Sequence, residues 1–289
     1  MKFGIIGNTG KPGLADAVAR LLAQLDRAGT TYRIDGSIAV LLPDGLREAV
    51  PRGTVEECVR EADMLVAFGG DGTILSAARS VGGRGTPILG VNLGKLGFLA
   101  EIAPETMEEV IGDILARKYV VEERLILMAT SPSMPGRTFH AVNDVVIDKS
   151  RYSRLIDLET YIDGAFAATY RGDGLILSTP TGSTAYALSN GGPIVVPTCS
   201  VIGITPIAPH TLSGRPLIVP ESSTIRVIVR AETDEVGFSA DGQTQKFLHP
   251  PVELSVARAP YRLRLVKRID RSYFDVLRAK LLWGQDARA

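Results

Sequence analysis

Cysteine is scarce: Cys58 and Cys199 stand far apart and outside any Cys-x-x-Cys spacing. The sequence therefore offers neither a disulfide framework nor a zinc site, and both thiols are expected to be buried. The three histidines, His140, His210 and His249, share no ligand spacing, so surface or core positions are expected for them and no metal-ligating side chain is assigned. Net charge is also missing, because 32 Lys plus Arg balance 32 Asp plus Glu. That leaves no global field to gather nucleic acid or an anionic membrane, only room for a local basic pocket. Between Asp173 and Arg215 there is no charged residue of either sign. Pro180, Pro193, Pro197, Pro206 and Pro209 interrupt this stretch too often for a membrane-spanning helix, and it reads as buried loops and strands lining a cleft. Met1 to Gly7 is apolar only briefly and lacks a signal-peptide pattern, so a cytoplasmic protein is expected.

What is present is typical of a globular chain rich in turns: 45% hydrophobic residues against 22% charged, with 30 Gly and 17 Pro among 289 residues. That length predicts two domains. Up to residue 118 apolar strands alternate with helical patterns. Phe3 to Gly7 reads as a strand, and Leu14, Val18, Leu21, Leu22 and Leu25 recur at helical spacing. Ile38 to Leu42 is a second apolar run, Val55 to Glu61 a helix, and Met64 to Phe68 a strand buried on both faces. Pro87 to Asn92 reads as a further strand, and Pro104 to Arg117 as a helix with proline near its start. The alternation predicts a Rossmann-like α/β domain over 1–118. Short β segments follow: Tyr119 to Ala129, His140 to Asp148, Leu155 to Ile162, Ala165 to Arg171, Thr224 to Ala231, Val236 to Ala240, Gln243 to Phe247 and Tyr261 to Val266. Asp163-Gly164 and Asp241-Gly242 are hairpin signals between them. The expectation is an antiparallel, sandwich-like β domain over 119–266. A helical tail over 267–289, with Tyr273, Leu277 and Leu281 in line and Phe274 and Trp283 beside them, should pack on the first domain or a partner subunit.

Two stretches carry chemistry. In the first, Val66 to Phe68 runs into Gly69-Gly70-Asp71-Gly72-Thr73 at a strand-to-helix turn. Ligands bind beyond the carboxyl ends of such strands, glycines let main-chain N–H groups approach a phosphate, and the helix adds its positive end. No Lys-Ser or Lys-Thr follows the glycines, as a Walker A loop requires, and the turn is not a GxGxxG fingerprint. A carboxylate here would repel a polyanion unless it met Mg²⁺ or took a proton from an attacking hydroxyl, which points to phosphoryl transfer onto an alcohol. A turn in which Asp71 simply caps the helix fits the same residues. Lys11, in the loop Asn8 to Gly13, reads equally as a phosphate contact or a solvated lysine.

The second stretch runs from Arg171-Gly172-Asp173-Gly174 to Thr179-Pro180-Thr181-Gly182-Ser183-Thr184-Ala185-Tyr186. A Ser/Thr-rich loop after the strand Leu175 to Leu177 can open a helix at Thr184 and offer main-chain and hydroxyl donors to a nucleotide. Asp173 could accept from an adenine amino group or a ribose hydroxyl, Arg171 could pair with a phosphate, and Tyr186 could pack on a ring. An ordinary Ser/Thr-capped turn is the plainer alternative.

Taken together, Gly69-Gly70-Asp71-Gly72-Thr73, Asn143-Asp144, Thr179 to Tyr186 and Asn190-Gly191-Gly192-Pro193 resemble, in order and spacing, the NAD kinases, which make NADP from NAD. GGDGT alone is shared with diacylglycerol-type lipid kinases and related to a motif of phosphofructokinases, whereas TPTGSTAY is far more specific. The resemblance implies Asp71 as catalytic base, with Gly72 in the same turn. It implies a dinucleotide held by Asn143 and Asp144, where Asp144 stands at a position more often Glu. Arg171, Asp173, Thr184, Ala185, Tyr186, Ala187, Leu188 and Ser189 match nucleotide contacts, Arg154 and Gln243 match more variable ones, and Phe98 matches an aromatic near the pocket. It further implies Mg²⁺ or another divalent cation, ATP or inorganic polyphosphate as donor, NAD as acceptor, and a homodimer or homotetramer. Two rival readings are a lipid kinase using the same turn, for which no basic amphipathic helix is found, and a non-catalytic NAD(P) sensor, which would have no use for Asp71.

Overall fold

The computed structural model describes residues 1–152, 154–211, 214–232 and 234–282. The chain divides into two compact units: Met1–Glu123 joined by the chain from Leu263 onward, and Arg124–Arg262.

The first unit is built on a seven-stranded sheet whose spatial order is Arg52–Gly53, Thr31–Asp35, Lys2–Gly7, Met64–Gly69, Ile88–Asn92, Leu263–Lys267 and Val120–Arg124. Lys2–Gly7 pairs in parallel with both Thr31–Asp35 and Met64–Gly69, and the latter with Ile88–Asn92. Every residue of Met64–Gly69 is buried, as a central parallel strand covered on both faces requires. The helix Leu14–Arg27 buries Leu14, Ala17, Val18, Leu21, Leu22 and Leu25 on one stripe, and Val55–Glu61 starts at a reciprocal cap between Thr54 and Glu57. The second strand is Thr31–Asp35, upstream of the apolar run Ile38 to Leu42. Of that run, Ile38, Ala39 and Leu42 are buried, and Ile38 and Ala39 belong to a short helix, Gly36–Ala39.

The second unit holds two six-stranded antiparallel sheets. One runs Ala165–Gly172, Ile156–Ile162, Ile225–Arg230, Val252–Arg258, Leu127–Thr130 and Thr138–Ala141. The other runs Leu217–Pro220, Val201–Ile207, Gly174–Ser178, Asp144–Asp148, Val236–Ala240 and Thr244–Leu248. Alternate residues of both, among them Leu158, Val227, Leu254, Val145, Leu175, Ile204 and Phe238, close into one core, as in a β-sandwich. The other face of the second sheet also carries apolar groups: Val146, Ile176 and Ile207 pack with Ala187. Asp163-Gly164 and Asp241-Gly242 both turn hairpins with positive φ at each position.

Several expectations are corrected. Tyr119 to Ala129 is two strands in different sheets, Val120–Arg124 and Leu127–Thr130. His140 to Asp148 is likewise two, Thr138–Ala141 and Asp144–Asp148, because the Asp241 carboxylate takes the N–H groups at the break. The strand within Tyr261 to Val266 is Leu263–Lys267, and it joins the first sheet beside Ile88–Asn92, with Leu265 opposite Ile88. Alternation marks a strand but carries no label for its sheet. The final helix is Tyr273–Leu281, capped by Ser272 and Asp275, and it belongs to the first unit. It buries Val276 and Leu277 while Phe274 and Leu281 are exposed; Trp283 lies outside the described residues. Cys58 is buried as expected, but Cys199 is exposed, since it closes a turn onto Val196 O before the strand Val201–Ile207.

Candidate active site

The glycine turn lies where the buried strand Met64–Gly69 ends and the helix Asp71–Val81 begins. Gly70, Gly72, Thr73 and Ser76 line a cavity of about 470 Å³ together with Gly7, Asn8 and Lys11 from the end of the first strand. N–H groups at a helix N-terminus, two hydroxyls and an ammonium suit a chain of phosphates. The Lys11 side chain, left open by the sequence, thus stands beside the turn.

The Asp71 carboxylate does not cap its helix, and it is held by the loop that follows Ile88–Asn92. Oδ2 accepts from Phe98 N at 2.9 Å, while Oδ1 accepts from Leu99 N at 2.9 Å and Ala100 N at 3.1 Å. The loop can approach because residue 97 is glycine: a Cβ there would fall 1.9 Å from Asp71 Oδ1. Asn92, almost fully buried, shapes the same loop by accepting from Gly94 N and donating to Lys95 O, both at 2.9 Å. Leu93 N bonds to Gly69 O at 2.9 Å and ties the loop back to the turn. From the final helix, Lys280 Nζ comes within 3.4 Å of Asp71 Oδ2 and lies 4.5 Å from the centre of the Phe98 ring.

In the second unit the organising group is Asp241. At the tip of its hairpin, Oδ1 accepts from Asn143 N at 2.7 Å and Asp144 N at 3.2 Å, and Oδ2 accepts from Val142 N at 3.0 Å. The TPTGSTAY segment closes on the same place. Thr179 N donates to Asn143 O at 2.9 Å, Thr179 Oγ1 donates to Val142 O, and Gly182 N donates to Thr179 Oγ1 at 3.0 Å. A Cβ on residue 182 would lie 2.0 Å from Asn143 O, so this junction requires glycine. Ser183 Oγ is engaged with Pro180 O and with Val195, and Thr179, Thr181 and Ser183 are buried. These hydroxyls fasten the segment instead of being offered outward.

Asp144 is 5% exposed, and burial, with the Asp241 carboxylate adding to it, pushes its carboxyl up to about 7 against an opposing hydrogen bond from Tyr186 N–H. The segment expected to open a helix at Thr184 forms a 3-10 turn, Thr181–Thr184, then a short helix, Tyr186–Ser189. Tyr186 and Ser189 are exposed, Thr184, Ala185 and Leu188 are half-buried, and Ala187 is packed into the sheet. Asn143, Asp144 and Thr184 to Ser189 are therefore gathered around one knot, with Gln243 two residues beyond Asp241 in the hairpin.

Arg154 and Arg171 lie elsewhere in this unit, lining a cavity of about 440 Å³ with Asp157, Arg230 and Glu232. Arg154 pairs with Glu232 at 2.7 Å and Arg171 with Asp157 at 3.8 Å. Asp173 already has a cation, Lys149 Nζ at 2.8 Å.

Two family descriptions match the chain: the ATP-NAD kinase N-terminal domain over residues 3–119 and the ATP-NAD kinase C-terminal domain over residues 142–268. The chain belongs to the NAD kinase family. It is 40% identical over 290 residues, covering both chains in full, to a protein of Bacteroides fragilis named NAD kinase. Among solved structures it resembles yeast NADH kinase complexed with NADH, with a TM-score of 0.90 and 28% identity over 100% of this chain and 89% of that one. It also resembles an NAD kinase from Archaeoglobus fulgidus in complex with ATP, with a TM-score of 0.76 and 26% identity over 96% of this chain and 99% of that one. These matches lend no support to the lipid kinase or the sensor.

Three residues of this NAD kinase family member that bear on the site were not assigned to it from the sequence. Asp241 reads as half of a hairpin signal, and nothing local reveals that its carboxylate clamps residues about a hundred positions away. Asn92 reads as the end of a strand, although Asn two residues before a glycine is a known side-chain-to-backbone turn signal. Lys280 lies on the last helix more than two hundred residues from its partner Asp71, and no local pattern singles it out.

Proposed function

We propose that the chain is an NAD kinase that transfers the terminal phosphoryl group of ATP, bound as its magnesium complex, to the 2′-hydroxyl of the adenosine ribose of NAD, giving NADP and ADP. Family membership across both halves of the chain carries this reading. The phosphate-suited cavity around Gly70, Gly72, Thr73, Ser76 and Lys11 supports the donor assignment. In the step itself the 2′-oxygen forms a bond to phosphorus, the bond to the ADP oxygen breaks, and the hydroxyl proton passes to the Asp71 carboxylate or is oriented by it. Asn143, Asp144, Asp173 and the segment Thr184 to Ser189 orient the dinucleotide, with Gln243 and Phe98 as further contacts, and Arg154 and Arg171, which line a separate cavity, contribute from a second subunit of the homo-oligomer.

Among the described residues no three His, Cys, Asp or Glu side chains are grouped to hold a metal. A magnesium ion carried on the donor phosphates would keep much of its water and need few protein ligands. When bound, the ion neutralises charge on the phosphoryl group being transferred. Inorganic polyphosphate presents the same run of phosphates and is proposed as a second donor. No described helix is long and apolar enough to cross a membrane. A cytoplasmic homodimer or homotetramer is proposed, for which light scattering of the purified protein is the check.

The test is NADP formation from NAD and Mg-ATP, with polyphosphate, NADH and diacylglycerol in parallel reactions and Asp71→Asn as control. General-base assistance is worth roughly 10²–10⁴-fold, so the variant should lose most turnover with a modest change in NAD affinity. Near-full activity in Asp71→Asn would remove the assigned role. Phosphorylated lipid would move the protein to another class.

A further inference from the structure

An ionised carboxylate has about four acceptor positions. On Asp71, three are filled by Phe98, Leu99 and Ala100 N–H groups, and the Lys280 ammonium stands at the remaining one, 3.4 Å from Oδ2. With all four taken, a substrate hydroxyl has no lone pair to donate to. One donor must leave before Asp71 can orient or deprotonate anything. The three N–H groups belong to a loop fixed by Asn92, Gly97 and the bond from Leu93 N to Gly69 O, and their contacts are short. Lys280 has the longest contact of the four. It is about a third exposed and rides on a nine-residue helix that buries only Val276 and Leu277. Its second attachment is to the Phe98 ring, 4.5 Å away, and Phe98 in turn faces Tyr273 of the same helix at 6.2 Å between ring centres.

We propose that Lys280 occupies the position on Asp71 that the acceptor hydroxyl takes during turnover, so that the last helix is a built-in competitor of the dinucleotide. Binding of NAD displaces the ammonium, and the helix loses its hold on Phe98 at the same moment. Lys280 is a gatekeeping side chain on this account and takes no part in the chemical step.

The inference rests on the kinase reading with Asp71 at its centre, so wild type is assayed first for NADP formation abolished by Asp71→Asn. Absence of that activity would fail the kinase reading itself. With it established, Lys280→Met keeps the apolar stem over Phe98 and removes the charge. A partly exposed ion pair predicts a fall in KM for NAD of about two- to five-fold with kcat not reduced. Lys280→Arg, which keeps the charge, should retain the wild-type KM. An unchanged or raised KM in Lys280→Met overturns the inference. So does an equal fall in Lys280→Arg, which would assign the effect to helix packing instead of the ammonium.

Discussion

Asp144 should make the stability of this protein fall as pH rises toward neutrality, and replacing it by asparagine should remove that fall. Its carboxyl is moved from an ordinary 3.8 up to about 7 in the folded chain, first by burial and then by the Asp241 carboxylate. Between these values the folded state holds a proton that the unfolded state has released. Stability is therefore fully favoured below about pH 4 and lost progressively up to about pH 7. The whole shift corresponds to about 4 kcal/mol, at about 1.4 kcal/mol per unit. Asparagine has nearly the same shape and cannot ionise. The unfolding free energy of Asp144→Asn, minus that of wild type, should rise by about 3 kcal/mol from about pH 4.5 to about pH 8.5. Urea unfolding of both proteins at the two pH values measures this, and taking the difference cancels the titrating groups that do not interact with Asp144. A difference that stays constant with pH would show that Asp144 ionises freely in its pocket and would refute the reasoning. The same variant should bind NAD less tightly above neutrality, where wild-type Asp144 is an anion able to accept from hydroxyl groups.

Two further substitutions probe the knot around that residue. Asp241→Ala leaves the Val142, Asn143 and Asp144 N–H groups without their acceptor, which should destabilise the chain by at least about 2 kcal/mol and raise KM for NAD severalfold; a stable variant with unchanged KM would mean water replaces the carboxylate. Gly182→Ala places a methyl group against Asn143 O, with an expected cost of about 1–3 kcal/mol in chemical unfolding and a loss of NAD affinity. An unperturbed variant would contradict the close approach.

Much of the scaffold was legible because its signals are local. The buried run Met64 to Phe68 entering Gly69-Gly70-Asp71-Gly72 announces a parallel strand, a glycine turn and a helix within ten residues, and all three are present. Asp163-Gly164 and Asp241-Gly242 place two hairpins by backbone preference alone. The family likewise follows from short motifs in order along the chain. Tertiary structure decided whatever depends on a partner distant in sequence. Leu263–Lys267 alternates as any strand does, and only packing sends it to the first sheet, while the division of His140 to Asp148 into two strands comes from a carboxylate at position 241. The orientation of Asp71 is the sharpest case. Its presence in the turn is written in the sequence, but whether it faces phosphates, caps its helix or is ringed by the 98–100 amides and Lys280 depends on where a loop and a distant helix come to rest. Hydrogen bonds of this kind carry no periodicity, so they leave no pattern along the chain to be read.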